Sequence, residues 1–199
     1  MIAFVLVIGA YILGSVPFAL VIGKGIYRVD VRQSGSGNIG TTNVFRVLGK
    51  KAGALVFVLD LLKGFLPVFL ALRLISSDSA ALVAVLAAGA AIAGHTFSIF
   101  LRFKGGKGVA TGGGAILALM PVLFLLAFAC FWLVLLAGRF VSVASLAAAV
   151  FLSVAVFVTD QPRPYIVFTL AGTAVMAALV AVPAGAAPAT QKTLPGSVP

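Results

Sequence analysis

Two short segments combine glycine with basic and hydroxyl residues, and they carry the chemistry that this sequence could perform. The first covers residues 35–43, with Arg46 close behind, and the second covers residues 102–108, followed by Thr111. Glycine lets several backbone N–H groups point into one concavity, while lysine, arginine and hydroxyl side chains add charge and further donors. This combination is typical of a cradle for a phosphate group.

The two segments interrupt a chain whose composition predicts an integral membrane protein. Of its 199 residues, 62% are hydrophobic and 9% are charged, whereas roughly 25% of an ordinary soluble domain is charged. Five uncharged runs each reach the ~20 residues that cross a bilayer as a helix. They cover residues 1–23, 79–101, 108–138, 140–159 and 164–191. A sixth run, 52–72, is interrupted by Asp60 and Lys63. We interpret the first run as a retained helix and not as a removed signal peptide, because no basic residue precedes it.

The longest run, 108–138, predicts two helices because a single helix of that length would measure about 46 Å and would contain Pro121. The fold class is therefore predicted to be all-α and polytopic, with about seven transmembrane helices. Basic residues cluster around both glycine-rich segments, which places these segments in the cytoplasm, the N-terminus outside and the C-terminus inside. Residues 1–182 are predicted to form one membrane domain, followed by a disordered tail rich in proline and alanine at 183–199.

Residue counts exclude several classes of site. The single cysteine, Cys130, cannot form a disulfide within the chain, and the single histidine, His95, cannot form a multi-histidine metal site. The chain has four acidic residues, all aspartate and scattered, so we expect no metal and no cofactor. The net charge of +10 suggests contact with anionic membrane lipids and not with nucleic acid.

Five polar residues lie within or beside the predicted spans. Asp60 and Lys63 are three residues apart on one helix face, and we predict a structural ion pair. His95 could act as a general base or could form a hydrogen bond between helices. Ser142 and Ser145 could donate to a phosphate group or to carbonyls one turn back in their own helix.

Residues 35–46, with the sequence GSGNIGTTNVFR, resemble the first motif of the bacterial acyl-phosphate:glycerol-3-phosphate acyltransferases, the PlsY family. Residues 104–111, KGGKGVAT, resemble the second motif, and shorter matches lie at 59–64, 94–95 and 139–145. The resemblance implies a seven-helix enzyme of the bacterial inner membrane whose active site faces the cytoplasm. Such an enzyme transfers a fatty acyl group from acyl phosphate to the 1-hydroxyl of glycerol 3-phosphate, giving lysophosphatidic acid and phosphate.

The same resemblance implies roles for individual residues. The residues expected to be catalytic are Ser36, Arg46 and Lys107. Those expected to bind substrate phosphates are Gly37, Asn38, Thr42, Asn43, Lys104, Gly105, Gly106, Gly108, Thr111, Ser142 and Ser145. Acyl phosphate is already activated, so the reaction needs two phosphorylated substrates held close together and charge stabilisation at the carbonyl.

The chain departs from the family pattern after residue 182. Members of the family end in a basic segment whose His and Asn belong to the active site, whereas residues 183–199 contain neither. Reduced activity is therefore expected. Two alternatives stay open at this point: a non-catalytic membrane carrier or channel for phosphorylated metabolites, and an inactive member of the family.

Overall fold

The computed structural model of the chain describes residues 1–76, 78–138 and 140–181. Within these ranges the chain forms eight α-helices and two single 3-10 turns, with no strand, which confirms the predicted all-α class. The helices are α1 (Ile2–Ser15), α2 (Phe18–Gly25), α3 (Thr41–Leu74), α4 (Ala80–Thr96), α5 (Val109–Leu119), α6 (Pro121–Gly138), α7 (Val141–Val158) and α8 (Arg163–Ala181). The predicted tail lies outside the described residues.

Five stretches of the described chain are long and apolar enough to cross a membrane. They are Ile2–Gly25, Thr41–Leu74, Ala80–Leu101, Pro121–Gly138 and Val141–Val158. Helices α5 and α8 are apolar as well, but their apolar parts are shorter. The total of seven crossings and the in–out orientation stay predictions.

Proline breaks two of the apolar runs. The break between α5 and α6 at Pro121 was predicted, and the structure confirms it. A second break, at Val16 and Pro17, divides the run that the sequence analysis treated as one helix. That interpretation was wrong because Pro17 has no N–H to donate and its ring disfavours helical geometry at the preceding residue. Val16 accordingly has an extended backbone, with φ −61° and ψ 117°.

Helix α3 begins earlier than the hydrophobic run predicted. It starts at Thr41, so Thr42, Asn43 and Arg46 lie in its first turns and not in a loop. The helix changes direction at Gly49, which has φ 85° and ψ −177°. Glycine accepts that backbone conformation without the steric cost that a side chain would add. The first turns of α3 and its long apolar part are therefore two helical segments that meet at a kink.

Glycine lets two pairs of helices approach each other closely. Helices α1 and α4 meet at Gly14 and Gly94, and α3 and α5 meet at Gly64 and Gly114. A Cβ atom at any of these four positions would collide with the backbone of the partner helix. Small residues allow such contacts in membrane bundles. These crossings hold α1 against α4 and α3 against α5, and α3 and α4 also pack against each other.

The tight crossing of α1 and α4 predicts a selective response to alanine. A Cβ at Gly94 would meet the Tyr11 carbonyl oxygen, whereas a Cβ at Gly89 of the same helix has no atom within 4 Å. We expect Gly94→Ala to destabilise the protein by about 1–3 kcal/mol, the usual cost of overpacking. Thermal unfolding in detergent should show a lower midpoint for Gly94→Ala and an unchanged or higher midpoint for the control Gly89→Ala. Equal midpoints for the two variants would contradict the close crossing.

Candidate active site

Asn43 organises the first glycine-rich segment from the start of α3. Its Oδ1 accepts a hydrogen bond from the Ser36 backbone N at 2.8 Å, and its Nδ2 donates to the carbonyls of Val31, at 2.8 Å, and Ser34, at 3.1 Å. The side chain is buried, and these contacts use its oxygen and both of its N–H bonds. Asn43 therefore shapes the loop, and a phosphate contact from the same amide would have to replace one of these bonds.

The exposed surface of this segment carries donors at a helix N-terminus. Ser36, Gly37, Thr42 and Arg46 are exposed, while Asn38 is partly buried and its Oδ1 accepts a hydrogen bond from the Gly40 backbone N at 3.0 Å. The free N–H groups and the dipole at the start of a helix favour an anion. The predicted site residues of this segment, apart from the buried Asn43, are thus placed where a phosphate could reach them.

The second segment is bound to the end of α4. The Gly105 backbone N donates to the Thr96 carbonyl at 2.9 Å, and the Gly106 backbone N donates to the His95 carbonyl at 3.1 Å. These carbonyls belong to the last turn of α4, where no later helical residue supplies an N–H group to donate to them. Gly108 has φ 71° and directly precedes α5. Lys104 and Lys107 stay exposed on this anchored backbone.

A buried polar cluster lies behind the second segment and consists of Asp60, Lys63, His95 and Thr111. Each of these residues is at most 5% exposed. The predicted ion pair is present, with Lys63 Nζ 2.8 Å from Asp60 Oδ1, although this contact lacks the geometry of a hydrogen bond. His95 Nδ1 lies 3.3 Å from Thr111 Oγ1 and 3.8 Å from Asp60 Oδ1. Three helices, α3, α4 and α5, thus contribute to one polar centre.

Sequence reasoning missed the polar contacts at the break between α1 and α2. Ser98 Oγ donates to the Ser15 carbonyl at 2.6 Å, and Lys63 Nζ donates to the Val16 carbonyl at 3.0 Å. A broken helix leaves carbonyls without partners, and within a membrane these groups need partners from the protein. Pro17 was the signal that could have revealed this arrangement.

The two serines of α7 differ in their surroundings. Ser142 is exposed, whereas Ser145 is buried and donates to the Val141 carbonyl at 2.8 Å, one turn back in the same helix. Among the described residues no hydrogen bond or ion pair joins either serine to the glycine-rich segments. Arg139, which belongs to the matching motif, lies outside the described residues.

One apolar cluster connects the two glycine-rich segments. Ile39 and Val44, from the first segment and the start of α3, pack in a cluster with Val31 and Val56. Leu101, just before the second segment, packs against the same cluster. The two segments therefore lie at the same end of the bundle, which agrees with a shared site.

The positive charge at this end is only partly neutralised. Asp30 Oδ2 lies 3.0 Å from Lys24 Nζ and 2.6 Å from Arg32 Nη2. The hydrogen bond from Arg32 holds the pKa of the Asp30 carboxyl well below its usual value. No ion pair in the described part of the chain involves Arg46, Lys104 or Lys107. These three cations, all exposed, are available to an anionic substrate.

Comparison with known proteins gives a consistent result. A family model described as glycerol-3-phosphate acyltransferase matches residues 4–184. The glycerol-3-phosphate acyltransferase of Rubrobacter xylanophilus is 47% identical to this chain, and the match covers 86% of this chain and 84% of the relative. That of Desulforamulus reducens is 44% identical, and the match covers 83% of this chain and 81% of the relative. Crystal structures of the integral membrane glycerol 3-phosphate acyltransferase PlsY superpose with TM-scores of 0.84 for its glycerol 3-phosphate form and 0.82 for its lysophosphatidic acid form. Their sequence identities to this chain are 41% and 39%, and the matches cover 89% of this chain and 88% and 87% of those chains.

The buried ion pair predicts a strong effect of removing one charge. Asp60→Asn leaves the Lys63 ammonium without its counter-ion in a buried position, which typically costs about 3–5 kcal/mol. We expect a low yield of folded protein, measured as the monodisperse fraction after extraction into detergent. The double variant Asp60→Asn/Lys63→Met, which removes both charges, should recover most of that yield. A normal yield of Asp60→Asn alone would contradict the structural role of the pair.

Proposed function

Because this chain belongs to the glycerol-3-phosphate acyltransferase family, we propose that its two glycine-rich segments bind acyl phosphate and glycerol 3-phosphate side by side. The protein is a membrane-bound glycerol-3-phosphate acyltransferase of phospholipid synthesis. Acyl phosphate is the proposed acyl donor, and lysophosphatidic acid and inorganic phosphate are the proposed products. Family membership sets aside the alternative of a carrier or channel.

The observation that carries this proposal is the set of three exposed cations without ion pairs, Arg46, Lys104 and Lys107, beside two glycine-rich backbones. Two phosphorylated substrates repel each other, so a site that holds both needs positive charge on more than one side. Arg46 lies just after the first segment, in the first turns of α3, and the two lysines belong to the second segment. Arginine can bind two phosphate oxygens at once, while lysine offers a compact charge that can follow a moving phosphate.

In the proposed reaction the 1-hydroxyl oxygen of glycerol 3-phosphate attacks the acyl carbonyl carbon. The new ester C–O bond forms, the bond from the carbonyl carbon to the phosphate oxygen breaks, and phosphate leaves with the bonding electrons. Lys107 and Arg46 stabilise the charge that develops on the carbonyl and phosphate oxygens, and Ser36 donates a hydrogen bond. His95 lies beneath the second segment and is 5% exposed. We therefore assign the hydroxyl proton to a substrate phosphate oxygen.

The remaining predicted contacts complete the proposed site. Phosphate oxygens would be bound by the Asn38 amide, the Thr42 and Ser142 hydroxyls and the backbone N–H of Gly108. The backbone N–H groups of Gly37, Gly105 and Gly106 already donate to the carbonyls of Ser34, Thr96 and His95, so we propose that these glycines shape the two segments around the phosphates. The other predicted ligands, Asn43, Thr111 and Ser145, are buried and already hydrogen-bonded within the protein, so we propose that they support the site from behind.

We further propose that residues 1–182 act as a single acyltransferase domain in the bacterial inner membrane. Both glycine-rich segments would face the cytoplasm, as the distribution of basic residues predicts. The acyl chain of the donor would lie among membrane lipids and the apolar helix surfaces. The effect of the unusual segment 183–199 on activity stays a prediction, because that segment lies outside the described residues.

Removing one of the exposed cations should reduce acyl transfer without unfolding the protein. Lys107→Ala and Arg46→Ala each lose a charge-assisted phosphate contact worth roughly 1.5–3 kcal/mol, which corresponds to a loss of about tenfold to a hundredfold in kcat/KM. The measurement is transfer from palmitoyl phosphate to labelled glycerol 3-phosphate. Lys51→Ala is the matched control, since Lys51 is exposed on α3 and lies outside both segments. Near-normal kcat/KM for Lys107→Ala would contradict the proposed phosphate site.

A further inference from the structure

We propose that His95 is a positioning residue, whose imidazole holds the second glycine-rich segment in the conformation that presents Lys104 and Lys107 to substrate. The proposal rests on the function given above and assigns a part of that site to a side chain that does not touch the substrate. Three features of the structure lead to it: the anchoring of the segment on α4, the space beneath Gly106, and the contacts that orient the imidazole.

The backbone of the segment is anchored on the residue that carries the imidazole. The Gly106 N–H donates to the His95 carbonyl, and the Gly105 N–H donates to the carbonyl of the next residue, Thr96. A shift of the end of α4 would therefore move the segment with it. The anchoring also places Gly106 directly over the imidazole.

The two adjacent glycines are required for different reasons. A Cβ at Gly106 would collide with His95 Nε2, so the imidazole fills the space that a side chain would take. A Cβ at Gly105 would instead collide with the carbonyl oxygens of His95 and Thr96, which are backbone atoms. The first conflict disappears if the imidazole is removed, and the second does not. This difference separates the part played by the side chain from the part played by the backbone.

The imidazole is oriented by the buried cluster on its other side. His95 Nδ1 lies 3.3 Å from Thr111 Oγ1, and Thr111 belongs to the first turn of α5, which the segment leads into. Asp60 Oδ1 lies 3.8 Å from the same nitrogen and pairs with Lys63. His95 thus contacts the segment beneath Gly106 and again just beyond its end at Thr111.

The same geometry argues against His95 as the proton acceptor. A general base must come within about 3 Å of the proton that it removes, directly or through one water. Nε2 faces Gly106, Nδ1 faces Thr111 and Asp60, and the residue is 5% exposed. Nδ1 therefore has protein partners, and Gly106 lies directly against Nε2. Of the two roles that the sequence left open, the geometry favours the structural one.

A double-mutant cycle tests the proposal. Gly106→Ala should raise the KM for glycerol 3-phosphate by about tenfold, equivalent to ~1.4 kcal/mol. In a His95→Ala background the same change should raise it less than about twofold, because the colliding atom is gone. Gly105→Ala is the matched control and should be equally damaging in both backgrounds. Additive effects of Gly106→Ala and His95→Ala in an active enzyme would overturn the proposal.

Two further measurements distinguish a positioning role of His95 from a catalytic role. His95→Gln retains a polar group near Nε2 but cannot act as a base at neutral pH, so we expect its kcat to stay within about tenfold of the wild type. A kcat reduced by much more than tenfold in both His95→Gln and His95→Ala would instead make His95 the proton acceptor and overturn the proposal. The thermal unfolding midpoints of the wild type, Gly106→Ala, His95→Ala and the double variant report the collision without requiring enzyme activity. An inactive wild-type chain with non-additive midpoints would count against the proposed function while supporting the positioning role, whereas additive midpoints would overturn the positioning role.

Discussion

Lys63 makes a set of contacts on which the rest of the structure depends. Its ammonium pairs with Asp60 at 2.8 Å, donates to the Val16 carbonyl at 3.0 Å and lies 5.6 Å from the centre of the Phe18 ring. A charge in an apolar bundle is tolerated only when the protein supplies its partners, and a broken helix has the same requirement for its carbonyls. One side chain meets both requirements, and it thereby ties the break between α1 and α2 to α3.

Glycine serves this fold in two ways that composition alone does not separate. At Gly14, Gly94, Gly64 and Gly114 it allows helices to approach until their backbones touch. At Gly105 and Gly106 it allows a loop to lie against the end of α4 and against the His95 imidazole. Where α3 crosses α5, Gly64, the residue after Lys63, lies against the backbone of Thr111 in α5. The close packing of the helices and the shape of the loop therefore involve the same buried cluster.

Much of the fold class could be predicted from the sequence, because it leaves local signals, and the two glycine-rich segments of the candidate site are equally visible as local patterns. The apolar runs, the paired Asp60 and Lys63 and the break at Pro121 were all recognised. The break at Pro17 was missed because residues 1–23 have the right length for one crossing, whereas the run containing Pro121 was too long for one helix. The contacts of Asn43 and the placement of His95 beneath Gly106 arise from tertiary approach, which leaves no periodic pattern in the sequence.

We propose that this chain uses acyl phosphate to acylate glycerol 3-phosphate at a site formed by two glycine-rich segments. The most direct test is the formation of labelled lysophosphatidic acid from labelled glycerol 3-phosphate in membranes that carry the full chain. Parallel reactions would contain palmitoyl phosphate or palmitoyl-CoA, and membranes without the chain would give the background. We expect product above background with palmitoyl phosphate and none with palmitoyl-CoA. Background-level product with palmitoyl phosphate, or product with palmitoyl-CoA alone, would contradict this proposal.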